Sequence, residues 1–274
     1  MRAGKPRPSR FAQGQYGDRD QNGKRRLTDF HTHILPGIDD GARDIEMTEA
    51  MLRAEAEQGV THVFATPHFY AHRRSVQRFL ERREGALAIT RELIARRRAE
   101  GESFPEITAG AEVYYFSGIG RAEQLPGLCM EGRDILLLEM PFCQWDSSMY
   151  RDVRDILDRR QLRIVLAHVE RYHGLQKDRS VWDRIMDLPL TIQINAESFI
   201  GGGSHGLFGG MRDRRIAKWC LQMMADYENI IIGTDCHNMK DRAPDLAGAR
   251  EEIEKRLGSG RLAGLDRYTE ELLG

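Results

Sequence analysis

The chain has 274 residues, of which 41% are hydrophobic and 30% charged, and its formal net charge is −1. Those values describe a soluble globular protein and give no electrostatic reason to invoke nucleic acid or a membrane surface as a partner. No apolar run approaches the roughly 18 residues that a membrane span requires, and four widely spaced cysteines (Cys129, Cys143, Cys220 and Cys236) lack the density of a secreted disulfide scaffold, which favours a reducing, cytoplasmic setting.

Residues 1–26 are polar, basic and glycine-rich, without helical periodicity, and read as a flexible extension. From residue 27 the chain alternates short apolar runs with helical stretches, the pattern of a parallel α/β fold. The apolar runs predict seven strands, at 27–33, 60–66, 107–113, 135–140, 162–167, 190–195 and 229–234. Helices are expected at 44–58, 75–100, 148–160, 178–187, 211–227 and 245–257, several of them followed by a glycine stop. With no internal repeat and no low-complexity linker, 27–274 is expected to be a single domain.

The first strand ends in "FHTHILPGIDDGA", where His31 and His33 precede the paired Asp39 and Asp40. Side chains two apart on a strand leave one face roughly 7 Å apart at Cβ and can reach one ion from two sides. A lone His-x-His is equally served by two hydrogen-bonded strand histidines. The other runs add polar residues at the same end: His68 after the second, Glu112 at the third, Glu139 at the fourth, His168 at the fifth, and Asp235 with His237 after the seventh. In a parallel barrel the C-terminal strand ends share one face, so these residues converge there. Five histidines and four carboxylates with no lysine or arginine among them do not read as structural ion pairs. They are costly to bury except around metal, and they are too many for one ion.

The segments "FHTHILPGIDDGA", "ATPHF", "GAEVYY", "LLLEMPF", "AHVERY", "QINAESF" and "GTDCHN" resemble, in order and spacing over about 27–245, the PHP-superfamily tyrosine phosphatases of the CpsB/CapC type, found at bacterial capsule and exopolysaccharide loci. The resemblance implies a distorted (β/α)7 barrel with three metals, usually Mn2+, with iron or zinc as alternatives. It implies that His31, His33, Glu112 and Asp235 hold the first ion, that Glu112 bridges to a second completed by Glu139 and His168, and that Asp40, His68 and His237 hold the third. It further implies that Arg171 and Arg242 grip the phosphate of a phosphotyrosine protein, such as an autophosphorylating bacterial tyrosine kinase. A small-molecule phosphatase of the histidinol-phosphatase type and a non-catalytic binder are the other readings, and oligomeric state is open. Three divalent ions against four carboxylates leave the rim net positive, and the two arginines add to a field suited to a phosphate dianion. Val169 stands where the family commonly has proline, and Thr234 and Cys236 where serine and alanine are usual.

Cys236 and Arg242 also have the spacing of cysteine-dependent tyrosine phosphatases. Yet "CHNMKDR" has no glycine after the cysteine to let backbone N–H groups surround a phosphate, so Cys236 reads as filling space between ligands. "GGGSHGLFGG" at 201–210 lacks the Lys-Ser/Thr ending of a P-loop and reads as a mobile connection on the active face. His62, His72, His173 and His205 match no ligand motif. Phe69, Tyr70, Tyr114 and Tyr115 serve equally as barrel packing or as walls for an aromatic leaving group. The arginine-rich stretch 91–98 reads as a solvated helix face, with docking of an acidic partner as the alternative.

Overall fold

The computed structural model describes residues 27–200 and 209–274. The basic extension, most of the glycine-rich connection and His205 lie outside the described residues. Nine strands form: β1 (Thr28–Thr32), β2 (His62–Ala65), β3 (His68–Phe69), β4 (Glu106–Ala109), β5 (Glu112–Tyr114), β6 (Ile135–Glu139), β7 (Arg163–Leu166), β8 (Thr191–Asn195) and β9 (Ile230–Gly233). The longer helices are α1 (Ile45–Glu57), α2 (Val76–Ala99), α3 (Ser147–Arg160), α7 (Gly209–Asp226), α8 (Leu246–Leu257) and α9 (Ser259–Leu273), and three short ones are α4 (Glu170–His173), α5 (Ser180–Met186) and α6 (Glu197–Ile200). None of the described helices is long and apolar enough to cross a membrane.

There are two strands more than the seven apolar runs because a short strand follows the second run past Pro67 and the third run breaks at Gly110. Pro67 has no N–H to give to a ladder. Beside it Gly110 packs so closely that a Cβ there would lie 3.1 Å from Thr66 Cγ2. Glu112 N spans the double break by donating to both Thr66 O (3.2 Å) and Pro67 O (3.1 Å). Glu112 therefore opens β5 instead of closing a longer strand.

Every ladder is parallel, in the orders β1-β2-β4 and β3-β5-β6-β7-β8-β9. Since β2 runs into β3 and β4 into β5, the two sheets share two staves and continue one another around the circuit. The circuit returns to its start by a parallel bridge between Thr32 and Cys236, with Asp235 N donating to His31 O (2.7 Å) and His33 N to Cys236 O (2.9 Å). This is a distorted barrel of seven staves, as the family resemblance implies, built from the parallel strands that the alternating pattern predicts. Pairing of β1 with β2 slips between Asp29 and Thr32, so strict alternation fails along the strand that carries the His-x-His pair.

The strands divide their apolar side chains between two cores. Phe30, Phe64, Leu137, Val165 and Ile231 form a small cluster that also takes in Leu272 of α9, while Leu136, Leu138, Ile164, Ile192, Ile194 and Ile230 belong to the larger core that includes the helices. Helix α9 was not expected. Its glycines and mixed pattern conceal it, and only Gly258, at φ 84°, separates it from α8. Its C-terminal carbonyls are held from the barrel wall: Arg163 Nη1 donates to Leu272 O (2.8 Å) and Arg133 Nη1 to Leu273 O (2.5 Å).

Candidate metal centre

The nine residues anticipated as metal ligands meet at one end of the barrel. The two Nε2 atoms of His31 and His33 lie 3.2 Å apart, so the strand spacing does converge them. Glu112 Oε2 is 3.4 Å from His31 Nε2 and 3.3 Å from His33 Nε2, and Asp235 Oδ1 is 3.5 and 3.3 Å from the same two atoms. Five separations between 3.2 and 3.5 Å match the edges of a tetrahedron of N and O donors at ~2.1 Å from a common centre, a usual bond length for a divalent transition metal. All four residues are buried.

Two further groups overlap this one. His33, Asp40, His68 and His237 form the first, with Asp40 Oδ1 3.5 Å from His68 Nε2 and 3.8 Å from His237 Nε2. Since an imidazole nitrogen has one lone pair, His33 Nε2 can serve one ion only, and Asp40, His68 and His237 remain for this one. His68, Glu112 and Glu139 form the second. His168 Nε2 borders that group at 2.7 Å from Glu112 Oε1 and 3.8 Å from Glu139 Oε1.

The donors fit a metal on three observations. Glu139 Oε2 and His237 Nε2 are buried without a hydrogen-bond partner, a cost that bonding to ions would remove. Burial, then the charges of Glu112 and Asp235, push the Glu139 carboxyl up to about 9, so the side chains alone do not support this many anions. The set is nitrogen and oxygen, the donors preferred by Mn2+, Fe2+ and Zn2+. Glu112 behaves differently from Glu139: burial works against its charge, but His31 and hydrogen bonds from the surrounding imidazoles hold it well below the usual carboxylate range.

Supporting groups fix the ligands. His33 Nδ1 meets Asp39 Oδ2 at 2.7 Å, and His31 Nδ1 meets Gln193 Oε1 at 3.2 Å, each contact setting the ring so that Nε2 faces the centre. Asn195 Nδ2 donates to Asp235 Oδ2 at 2.8 Å. Gly41 is required beside the pair, since a Cβ there would lie 2.0 Å from His33 O. His168 and Asp235 both adopt positive φ, 30° and 53°, and such strained backbone is typical of positions that aim functional side chains. Asp39 was visible in "GIDDGA", and Gln193 and Asn195 in "QINAESF", but no spacing rule separates an orienting residue from a ligand.

The two arginines also reach the rim. Arg171 Nη1 lies 3.3 Å from Asp235 Oδ2, and Arg242 Nη2 contacts the same oxygen. They converge on the outer side of a candidate ligand, each with solvent-accessible surface remaining.

The departures from the family pattern have local causes. Val169 donates its N–H to Gln193 O (3.1 Å), a bond that proline cannot make. Thr234 donates from Oγ1 and N to Asp29, at 2.5 and 2.9 Å, tying the two edges of the barrel together. Cys236 is wholly buried, and burial pushes its thiol well up, the opposite of what a nucleophilic thiolate requires. Cys236→Ser is therefore expected to retain most of the phosphatase activity that the resemblance implies when metal content is matched, as read in a metal-normalised rate assay. A dead, fully loaded variant would overturn this placement.

Among the other residues, Phe69 packs on Phe79, and Tyr115 donates to Asp152 Oδ2 at 2.6 Å, so both turn into the core. Tyr70 and Tyr114 pack on each other at the rim, with Tyr70 also 5.2 Å from the His68 ring. His62 pairs with Thr108 at 2.7 Å and His173 with Arg179 at 2.8 Å, both structural contacts. Within 91–98, Arg91 pairs with Glu131 and Arg97 with Glu49, as a solvated face should. Phe142 escaped notice in the sequence. It is 48% exposed, lies nearly parallel to the His168 ring at 6.0 Å, and has the Arg171 guanidinium 5.9 Å from its centroid.

A parallel α/β barrel whose strand ends gather three overlapping sets of histidine and carboxylate donors defines a class of metal-competent proteins. Within it, the chain belongs to the CpsB/CapC family, described by capsular polysaccharide synthesis, whose model matches residues 27–269. The tyrosine-protein phosphatase CpsB of Streptococcus pneumoniae is 24% identical over 242 residues, covering 85% of this chain and 92% of that protein. The tyrosine-protein phosphatase YwqE of Bacillus subtilis is 26% identical, covering 85% and 86%. A chain from the crystal structures of YwqE and CpsB, described as unique metal-dependent tyrosine phosphatases, superposes with a TM-score of 0.72 at 22% identity, covering 90% of this chain and 94% of its own.

Proposed function

We propose that this chain is a metal-dependent protein-tyrosine phosphatase of the bacterial cytoplasm, acting on an autophosphorylating tyrosine kinase in capsular or exopolysaccharide synthesis. The observation that carries the reading is Glu112, whose carboxylate oxygens lie 2.7 to 3.4 Å from nitrogens of His31, His33, His68 and His168. A carboxylate shared among four imidazoles is the arrangement expected of a bridge between ions. In the proposed centre, His31, His33, Glu112 and Asp235 would hold one Mn2+, Glu112, Glu139 and His168 would hold a second with His68 beside it, and Asp40, His68 and His237 would hold a third.

Bound ions would supply a nucleophile derived from water at neutral pH and would offset charge on the phosphoryl oxygens. The chain's own residues do the rest. Asp39 and Gln193 hold the two histidines in the orientation that presents Nε2. Arg171 and Arg242 turn their guanidinium groups to the phosphate, where paired N–H donors match its oxygens. Phe142, beside His168 and Arg171, and Tyr70 with Tyr114, beside His68, give the rim aromatic surfaces that suit a phenyl leaving group.

The runner-up, a small-molecule phosphomonoesterase of the histidinol-phosphatase type, would use the same barrel. A substrate panel separates them: phosphotyrosine peptide, phosphoserine peptide and histidinol phosphate, with added Mn2+ and after chelation. Phosphotyrosine is expected to be turned over fastest, and chelation to abolish turnover until Mn2+ is restored. Preference for histidinol phosphate would replace the reading, and full activity after exhaustive chelation would end it.

A further inference from the structure

Arg73, Arg74, Arg78 and Arg82 lie close together in the chain, between β3 and the middle of α2. Arg53, Arg91, Arg97, Arg154, Arg163, Arg250 and Arg256 are all paired with carboxylates. No carboxylate pairs with Arg73, Arg74, Arg78 or Arg82 among the described residues. Arg73, Arg78 and Arg82 are exposed and Arg74 is half-buried.

Their positions make one patch. Arg73 lies over the Tyr70 ring, 4.6 Å from its centroid, and Tyr70 adjoins His68. Arg82 Nη2 donates to Gly37 O at 3.0 Å, on the loop that carries Asp39 and Asp40. Arg78 and Arg82 are four apart on α2 and share a helix face. Burial and the like charges of Arg82 and Arg73 depress Arg74 while Asp39 works the other way, so Arg73, Arg82 and Asp39 all lie within electrostatic reach of Arg74. The first turn of α2 carries no acidic residue to offset them. Keeping like charges together costs folding free energy that Asp39 and Glu81 nearby offset only in part, and the patch borders the Asp40, His68 and His237 edge of the rim.

We propose that Arg73, Arg74, Arg78 and Arg82 form a docking surface for an acidic peptide segment that flanks the phosphotyrosine. This rests on the phosphatase reading and adds the kind of substrate it prefers. The complement of four unpaired guanidinium groups is a run of carboxylates or additional phosphates. A substrate whose phosphotyrosine enters the centre past Tyr70 would lay its flanking residues across this face. The patch acts on encounter and retention of the peptide, so its effect belongs in KM and declines as salt screens the charges.

The test compares two phosphotyrosine peptides, one flanked by glutamates and one by glycine and serine, on the Mn2+-loaded full chain. The glutamate peptide is expected to have a kcat/KM about tenfold higher, mostly through KM, with the ratio falling toward one in 0.5 M NaCl. Arg78→Glu combined with Arg82→Glu should remove or invert the preference, and the milder Arg78→Gln with Arg82→Gln should reduce it, metal content being unchanged. A parent ratio near one, or a ratio indifferent to both double variants, overturns the proposal while leaving the phosphatase reading intact. Binding of an unphosphorylated, labelled glutamate peptide, followed by fluorescence anisotropy, keeps the two ideas apart. Patch-dependent binding without hydrolysis of either phosphopeptide would refute the phosphatase reading and support the docking surface, and absence of both would refute each.

Discussion

Glu112→Gln is expected to strip bound metal and to lower kcat by about 10³-fold. Glutamine keeps the shape of the side chain but loses the charge and one acceptor oxygen, and its amide N–H2 points donors where lone pairs are needed. The effect is large because Glu112 is fully buried and stands among His31, His33, His68 and His168. Without its carboxylate, no other anion faces all four rings. Metal analysis of dialysed protein, paired with kcat at saturating Mn2+, checks this directly. Equal metal content and equal kcat in parent and variant would remove Glu112 from the bridging role.

The second large effect belongs to the arginines. Arg242→Ala and Arg171→Ala are each expected to lower kcat/KM for phosphotyrosine by about 10²-fold, the loss typical of a preorganised donor. Competition by inorganic phosphate or vanadate should weaken in parallel. Both guanidinium groups also touch Asp235 Oδ2, so alanine removes a neighbour of a proposed ligand as well as a phosphate donor. A modest rise in the Mn2+ concentration needed for half-maximal activity should accompany the loss, and saturating Mn2+ should not restore the parent rate. Lysine should rescue only in part, since an ammonium makes no bidentate contact. If both alanine variants match the parent in hydrolysis and phosphate binding, these are rim arginines with a purely structural contact.

The parallel strands could be read from the sequence because strands covered on both faces are continuous apolar runs, and "ILLLEM" or "RIVLAH" leave little else to choose, while their closure into a barrel came from the family motifs. The candidate ligands were legible for the complementary reason: a histidine or carboxylate ending such a run has no ordinary place in a core. What stayed hidden depends on distances that no local pattern encodes. The break at Pro67 and Gly110 is a tertiary event between two neighbouring staves. Helix α9 gains its ordering contacts from Arg133, Arg163 and Thr191, the last through a 2.7 Å contact with Tyr268. Gln193 and Asp39 are told apart from ordinary strand and loop residues only by the imidazoles they meet. Phe142 looks like a turn phenylalanine until His168 and Arg171 are set beside it.

The closing edge of the barrel, where β1 meets β9 through one bridge and a few backbone bonds, also bears on how the molecule keeps its shape. Two donors of the proposed first ion come from the beginning of the folded chain and one from near its end. An ion held by them would act as a crosslink across most of the folded chain, confining the unfolded chain as a disulfide closing a very long loop would. Binding free energy at that point would be folding free energy too. The centre that performs the chemistry would then also clasp the barrel shut, so that an enzyme deprived of its metal would be a looser molecule as well as an inactive one.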